Sequence, residues 1–307
     1  MPKKIKRTGS SAGFHFMNLY QCCPRKWYLR YLKGWSPKLL AKPLVLGSAF
    51  HEGKAAWYLG KGEADSIAVA NRVLEESKSE VSQEDYEEIA FRVPHLLHYW
   101  IEQLGEKDLQ EYEVVHVEKE LIVPIEGTEF AMTIRPDTIL KSRYSGLTFI
   151  METKTSGFSA RVTGEAVYYG DQATAYMMGV RKCTDLDPYG VQPDIAYWNK
   201  VTRNLDNMKF ERPAIVFRTP EQCDRFEMGV GQLFSEMSQK AEAYAQGYDP
   251  WMLFPKNTHY CLSFSTPCDF ADVCSQDCEK IKKAPHGFRK EKKAPLGSYV
   301  LDTIGAD

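Results

Sequence analysis

The sequence predicts an α/β fold: a mixed central β-sheet flanked by helices, with an N-terminal helical insertion and a C-terminal cysteine-rich segment. Three observations carry this. Apolar residues recur at helical spacing through the first third of the chain, then give way to short β-type runs between residues 115 and 153. Helical and strand-like stretches alternate from there on, the order expected of a sheet covered by helices. Finally, Cys261, Cys268, Cys274 and Cys278 crowd into 18 residues near the end.

Residues 14–33 have helical spacing. Pro24 fits a first helical turn there, where a missing N–H costs nothing. The Pro-rich stretch 36–43 predicts a loop. Residues 47–59 are helical, with Phe50, Trp57 and Tyr58 as core candidates, and two polar-faced helices follow near 63–78 and 83–104. The period then changes. Residues 115–124, 130–140 and 147–153 read as strands, with Tyr144-Ser145-Gly146 turning between the last two. Helical spacing returns over 164–181. Strands are expected over 195–201 and 208–217, split by a polar turn at 204–207, and one long helix over 219–246. The repeated Lys-Lys-Ala-Pro at 282–285 and 292–295 predicts a flexible tail. The expected organisation is a basic flexible N-terminus over 1–13, a helical region over 14–110, the core over 111–250, the cysteine-rich segment over 251–280 and a basic flexible tail over 281–307.

Composition bounds the function. A chain of 307 residues, 43% apolar, can bury a full core, and 26% charged with 12% aromatic residues excludes a mostly disordered chain. No apolar run approaches the roughly 18 residues of a membrane span, and the basic start lacks the apolar stretch of a secretory signal. A soluble cytoplasmic protein with no membrane partner is the expectation. The total charge of −2 hides a division. Residues 1–9 carry four bases and no acid, residues 280–293 carry a net +6, and residues 10–279 therefore sum to −10. Basic ends suit a polyanion, and an acidic body suits metal cations; tails that only aid solubility are the alternative.

The sharpest chemical feature is Pro136-Asp137 followed by Glu152-Thr153-Lys154. Alternate residues of a strand share a face, so Glu152 and Lys154 project together while Thr153 points away. A hairpin turning between Tyr144 and Ser145 pairs residues whose numbers sum to 289, which sets Asp137 opposite Glu152. Opposed side chains lie about 4.5–5.5 Å apart at Cβ, and like charges there repel. A divalent cation between them offsets that repulsion, and hard carboxylate oxygens suit magnesium or manganese. Lys154, one pleat on, can orient or help activate water and stabilise charge building on a phosphate. Glu-x-Lys by itself recurs in many ordinary strands; the hairpin register and the apolar run at 147–151 single this one out.

With these residues in order, the chain resembles a PD-(D/E)XK nuclease of the RecB-like iron–sulfur branch, similar to the CRISPR-associated exonucleases and the AddB nuclease domain. Cys23-Pro24-Arg25-Lys26-Trp27-Tyr28 resembles the opening Cys-Pro-Arg segment, and Gly47-Ser48-Ala49-Phe50-His51 the histidine motif. Pro136-Asp137 with Glu152-Thr153-Lys154 resembles the core signature, and Gln172-Ala173-Thr174-Ala175-Tyr176 the Gln-x-x-x-Tyr helix. The resemblance implies a restriction-endonuclease-like core over 111–250. It implies that His51, Asp137 and Glu152 bind Mg2+ or Mn2+ with help from the Thr153 carbonyl, and that Gln172 and Tyr176 support the site and contact DNA. Read without it, Tyr176 packs with Tyr168, Tyr169 and Met177, and Gln172 caps it.

Crowded cysteines in a reducing compartment read as metal ligation before disulfides. Cys261, Cys268 and Cys274 supply three thiolates within 14 residues. The resemblance implies that Cys23 closes the set around a 4Fe–4S iron–sulfur cluster; tetrahedral zinc suits the same thiolates. Cys22 and Cys278 are spare thiols. The expected function is a divalent-metal-dependent deoxyribonuclease, an exonuclease on single-stranded or frayed DNA. Basic residues near Arg25 and Lys26, with the tail, would hold the backbone. Any unwinding would come from a helicase or from a recombination or CRISPR partner. The alternative is a catalytically silent DNA- or protein-binding module of the same fold; an iron–sulfur redox protein is a more remote reading, because no nucleotide-binding glycine fingerprint accompanies the cysteines.

Overall fold

Helices and strands follow the predicted order, with breaks that single residues impose. The computed structural model describes residues 13–157, 159–198, 208–263, 266–274 and 283–291. The opening helix is two, α1 (Phe14–Cys22) and α2 (Pro24–Trp27), parted at the extended backbone of Cys23, and Pro24 does open the second. A π-helical turn, Tyr28–Leu32, leads to β1 (Trp35–Pro37) inside the expected loop. Then come α3 (Lys42–Tyr58), α4 (Gly62–Ser77), α5 (Gln83–Trp100) and α6 (Glu106–Glu111). Helix α3 starts at Lys42 rather than 47 because Pro43 is accommodated in its first turn.

The strand expected over 115–124 is two, β2 (Tyr112–Val117) and β3 (Leu121–Pro124). Between them Glu118 takes a left-handed φ of 50°, which no strand continues through. The strand expected over 130–140 divides into β4 (Ala131–Ile134) and β5 (Thr138–Ser142), with Pro136, which has no N–H to donate to a ladder, in the gap. Strand β6 (Thr148–Ser156) follows. The helix expected over 164–181 is α7 (Ala160–Tyr169) and α8 (Asp171–Cys183), parted at Gly170. Strand β7 (Pro188–Tyr197) starts earlier than expected, and β8 (Lys209–Glu211) with one bridge at Val216 is what forms of 208–217. The polar turn at 204–207 lies outside the described residues. Helix α9 (Pro220–Ala245) matches its expectation; α10 (Pro250–Leu253), β9 (Leu262–Ser263), β10 (Thr266–Pro267), α11 (Ala271–Cys274) and β11 (Phe288–Lys290) complete the chain.

Strand β11 corrects the reading of the tail. Residues 288–290 pair antiparallel with β1, Trp35 with Lys290 and Pro37 with Phe288. Phe288 is buried against Phe270, with ring centres 5.2 Å apart, so this part of the basic tail has an apolar anchor.

The chain forms two compact units that interleave in sequence. One comprises Leu39–Leu121 and Arg135–Asp224. Its sheet has the order β2-β5-β6-β7-β8, antiparallel except for β6 and β7, which run parallel and are joined through α7 and α8. Helix α3 packs on β6, and α7 and α8 pack on β7. Phe50, Leu74, Ile89, Leu97, Trp100, Leu140 and Met151 form the heart of one apolar core. Helices α3, α4 and α5 meet so closely at Gly53 that a Cβ there would come within 2.5 Å of Leu97 Cδ2. The other unit comprises Met1–Lys38, Ile122–Ile134 and Arg225–Asp307. Its core is aromatic: Phe16 lies edge-on to Trp27, and Tyr28 stacks on Phe254 with ring centres 5.2 Å apart.

Candidate active site

Strands β5 and β6 pair Thr138 with Met151, Ile139 with Ile150 and Lys141 with Thr148, each summing to 289. The next pair in that register is Asp137 and Glu152, at the mouth of the hairpin. The pleat separates the β6 side chains as the alternation requires. Glu152 and Lys154 form an ion pair on one face, while the Thr153 hydroxyl accepts from Lys54 Nζ at 2.8 Å on the other. The Thr153 backbone N–H donates to Asp137 Oδ2 at 2.7 Å, tying the two acidic positions together.

Helix α3 brings His51 to the same place, with its Nδ1 3.3 Å from Asp137 Oδ1. Gly47, one turn earlier, allows the approach: a Cβ there would stand 3.3 Å from Thr155 Oγ1 on β6. Burial works against the charged form of His51, yet Asp137 outweighs it and raises the imidazole pKa. Burial would lift Asp137, but His51, Lys154 and the Thr153 N–H hold its carboxyl below the usual range. Glu152 is pushed up by burial and by Asp137 against the pull of Lys154. The like-charge pair therefore already has the Lys154 ammonium and the His51 ring beside it, so the repulsion does not by itself require a metal ion. What does point to one is Glu152 Oε2, a buried carboxylate oxygen with no hydrogen-bond partner.

The sequence reading missed Glu118. One ligand atom from each of His51, Glu118 and Asp137 lies within 4.8 Å of the others. Burial and Asp137 push the Glu118 carboxyl up to about 7, with Arg135, its ion-pair partner at 2.9 Å, opposing. The polar run Glu118-Lys119-Glu120 inside an otherwise apolar strand was the available signal. Also unforeseen is the layer beneath. Lys54, buried, donates to Asp194 Oδ2 at 2.6 Å, and Arg212 joins Asp194 to Asp108. Trp100 Nε1 donates to the same Asp194 oxygen at 3.0 Å. This network holds α3, carrying His51, against the Thr153 position of β6.

On α8, Gln172 and Tyr176 sit one turn apart. Gln172 Oε1 accepts from Lys154 Nζ at 3.0 Å, and its Nε2 donates to the Tyr176 hydroxyl at 2.9 Å. Tyr176 in turn donates to the Arg135 carbonyl at 3.2 Å. Tyr168 and Tyr169 are exposed, so the packing role considered for Tyr176 gives way to this hydrogen-bonded chain. His51, Asp137, Glu152, Thr153, Lys154, Gln172 and Tyr176 are thus brought together.

In the other unit, the described cysteines are free thiols. Burial pushes the Cys274 thiol up to about 11, with Cys23 adding most among its neighbours, Arg25 opposing, and Cys261 and Cys268 adding further. Cys268 N–H donates to the Cys261 carbonyl at 2.9 Å, and Asn257 N–H to Cys23 Sγ at 3.4 Å. Thiols are donors suited to a soft metal centre, but among the described residues the ligand atoms gathered within 4.8 Å of one another are those of His51, Glu118 and Asp137, not the cysteine sulfurs. Cys22 instead donates to Asn18 Oδ1, and Cys278 lies outside the described residues. Two bases expected to hold nucleic acid do not present themselves for it: Arg25 is fully buried, and Lys26 pairs with Asp269 at 3.2 Å. Among the described residues, no helix is long and apolar enough to cross a membrane.

No curated protein matches this chain. Among solved structures, one similar chain is described as "Crystal structure of SSO0001", with 11% identity over 73% of this chain and 84% of that one and a TM-score of 0.29, a likeness too distant to argue from. A profile of the PD-(D/E)XK nuclease superfamily matches residues 16–275, a span that contains the hairpin acids, Lys154, His51 and the four clustered cysteines. The chain belongs to the PD-(D/E)XK nuclease superfamily.

Proposed function

We propose that the chain is a Mg2+- or Mn2+-dependent deoxyribonuclease of the RecB-like iron–sulfur branch, working as an exonuclease on single-stranded DNA or frayed ends. The observation that supports the metal-dependent chemistry is the gathering of His51, Glu118 and Asp137 ligand atoms at the mouth of the β5–β6 hairpin, with Glu152 Oε2 buried beside Lys154 and without a hydrogen-bond partner among the described residues. His51, Asp137, Glu152 and the Thr153 carbonyl hold the cation, and Glu118 is within reach of the same ion. A bound divalent cation supplies Lewis acidity to the scissile phosphate. Lys154 presents an ammonium that orients the attacking water and offsets negative charge developing on the phosphate. Water attacks phosphorus in line, the P–O bond to the leaving group breaks, and the departing alkoxide takes up a proton. Gln172 fixes the Lys154 amine, and Tyr176 fixes Gln172. The preference for ends and for DNA comes from the RecB-like resemblance.

Cys23, Cys261, Cys268 and Cys274 are proposed to hold a 4Fe–4S cluster, with zinc as the alternative. The role is structural, because such a centre clamps residue 23 to residues 261–274 across a very long loop. DNA is the proposed partner, with unwinding supplied by a helicase or a recombination or CRISPR protein.

The test is purified full-length protein with manganese and labelled single-stranded DNA, linear and circular. Cleavage confined to linear substrate, and lost in Glu152→Ala and Lys154→Ala, is the expected result. Activity surviving both substitutions would discard the mechanism. Retention of DNA without cleavage in every divalent metal would favour the silent binding module.

A further inference from the structure

Arg25 is buried where a charge should not be. It is 0% exposed on α2, and its guanidinium carbon lies 3.6 Å from the ring centre of Trp251 and 5.5 Å from that of Tyr28. Nε, Nη1 and Nη2 are all buried without a hydrogen-bond partner among the described residues. A guanidinium stays charged in proteins, so it cannot escape by losing a proton. Burying it unpaired is costly, and contact with aromatic faces returns only part of that cost. An anionic group beside it would offset that cost.

The sequence places Arg25 two residues after Cys23, and the fold sets both against the segment that leads into Cys261: the Arg25 N–H donates to the Pro255 carbonyl at 3.2 Å, the Asn257 N–H donates to Cys23 Sγ at 3.4 Å, and Cys261 Sγ donates to the Asn257 carbonyl at 3.9 Å. Four thiolates around a zinc ion, or around a four-iron cluster core, outweigh the positive charge they enclose and leave the centre anionic. The planar fork with five donors is also the group best shaped to point several N–H bonds at thiolate or sulfide.

We propose that Arg25 supplies the buried positive charge that balances an anionic metal–thiolate centre held by Cys23, Cys261, Cys268 and Cys274. This rests on the reading of those cysteines as ligands. Arg25 is a positioning and charge-balancing residue, which removes it from the DNA-binding surface and explains why an arginine sits beside the first cysteine inside an aromatic core.

The test uses the full chain purified anaerobically, as wild type, Arg25→Met, Arg25→Lys and Cys268→Ser. Bound iron, acid-labile sulfide and zinc are measured, and metal release to a chelator is timed. Wild type is expected to be loaded and Cys268→Ser depleted. Arg25→Met should release metal roughly 10-fold faster or more, as loss of a supporting partner does, while Arg25→Lys, which keeps the charge, stays near wild type. With an iron–sulfur centre, Arg25→Met should also shift the reduction potential to more negative values, because added electron density loses its nearby cation. Wild-type release rates and potential in Arg25→Met would overturn the proposal while leaving the ligand reading intact. Absence of iron and zinc from wild type would overturn both. Should Arg25→Met fail to accumulate, Arg25→Lys decides: loss of loading with the charge retained would overturn the proposal.

Discussion

The acidic site and the proposed cysteine site are built by opposite routes. In the sheet unit, Asp137 just precedes β5 and Glu152 stands on β6, so the hairpin ladder sets their spacing, and each already has a protein partner beside it, His51 for Asp137 and Lys154 for Glu152. In the other unit the cysteines come from a helix break at residue 23 and from loops and short elements beyond residue 260, and Arg25 is left with no anion. The first site is preorganised before any ion arrives. The second brings together neutral-capable thiols and a buried guanidinium whose charge a metal–thiolate centre would balance. Removing metal should therefore stop chemistry at the first and weaken structure at the second.

The largest expected effect separates them directly. Lys154→Ala or Glu152→Ala should lower the initial rate of cleavage by about 10²–10³-fold, the usual cost of losing a charge-stabilising group, with metal at the cysteines unchanged. A Cys268→Ser variant that melts like wild type yet cleaves as poorly would break the comparison, placing the thiolates in the chemistry.

Next is the buried network under the site. Asp194→Asn leaves Lys54 buried without its carboxylate and should destabilise the sheet unit by about 3–5 kcal/mol, read by thermal melting. Burial opposes the Asp194 charge, but Lys54 and then Arg212 hold its carboxyl far below the usual range. Its contribution is therefore full above the unfolded value of about 3.9 and is lost as pH falls through the folded pKa. The gap in melting temperature between wild type and Asp194→Asn should persist at neutral pH and narrow only in acid.

A smaller effect is expected along the α8 chain. Gln172→Ala frees the Lys154 amine and should cost roughly 10-fold or more in cleavage, by analogy with other supporting contacts, and Tyr176→Phe, which keeps Gln172 in place, should cost less. Parallel metal titrations check that the deficit lies in turnover rather than in ion binding. Smallest is Ser82→Ala at the start of α5, where the serine side chain accepts from the Asp85 N–H. The loss should be about 1 kcal/mol in the sheet unit, and metal release from the cysteines should not change.

Legibility in the sequence follows the range of the interaction. The hairpin register could be counted from a turn, because the two-residue pleat converts position into side-chain direction. That arithmetic does not reach Glu118, where a left-handed residue breaks the period and a carboxylate comes to His51 and Asp137. Helix breaks at Cys23 and Gly170 were hidden because their flanks keep helical spacing. The tail was misjudged at 288–290 because its composition is that of a solvated segment, and only pairing with residues 35–37 and the pocket beside Phe270 order it.

Local rules of the chain alone determined the mixed α/β character, the opposed acids with their lysine, and the gathering of thiols near the end. Tertiary structure decided which charges meet. Lys54 with Asp194, separated by 140 residues, and Arg25 with an aromatic pocket have no periodic signature, because burial of a charge depends on what distant segments bring against it. Spacing along a strand is a property of the backbone, whereas the desolvation that makes a buried cation demand a partner belongs to the folded interior.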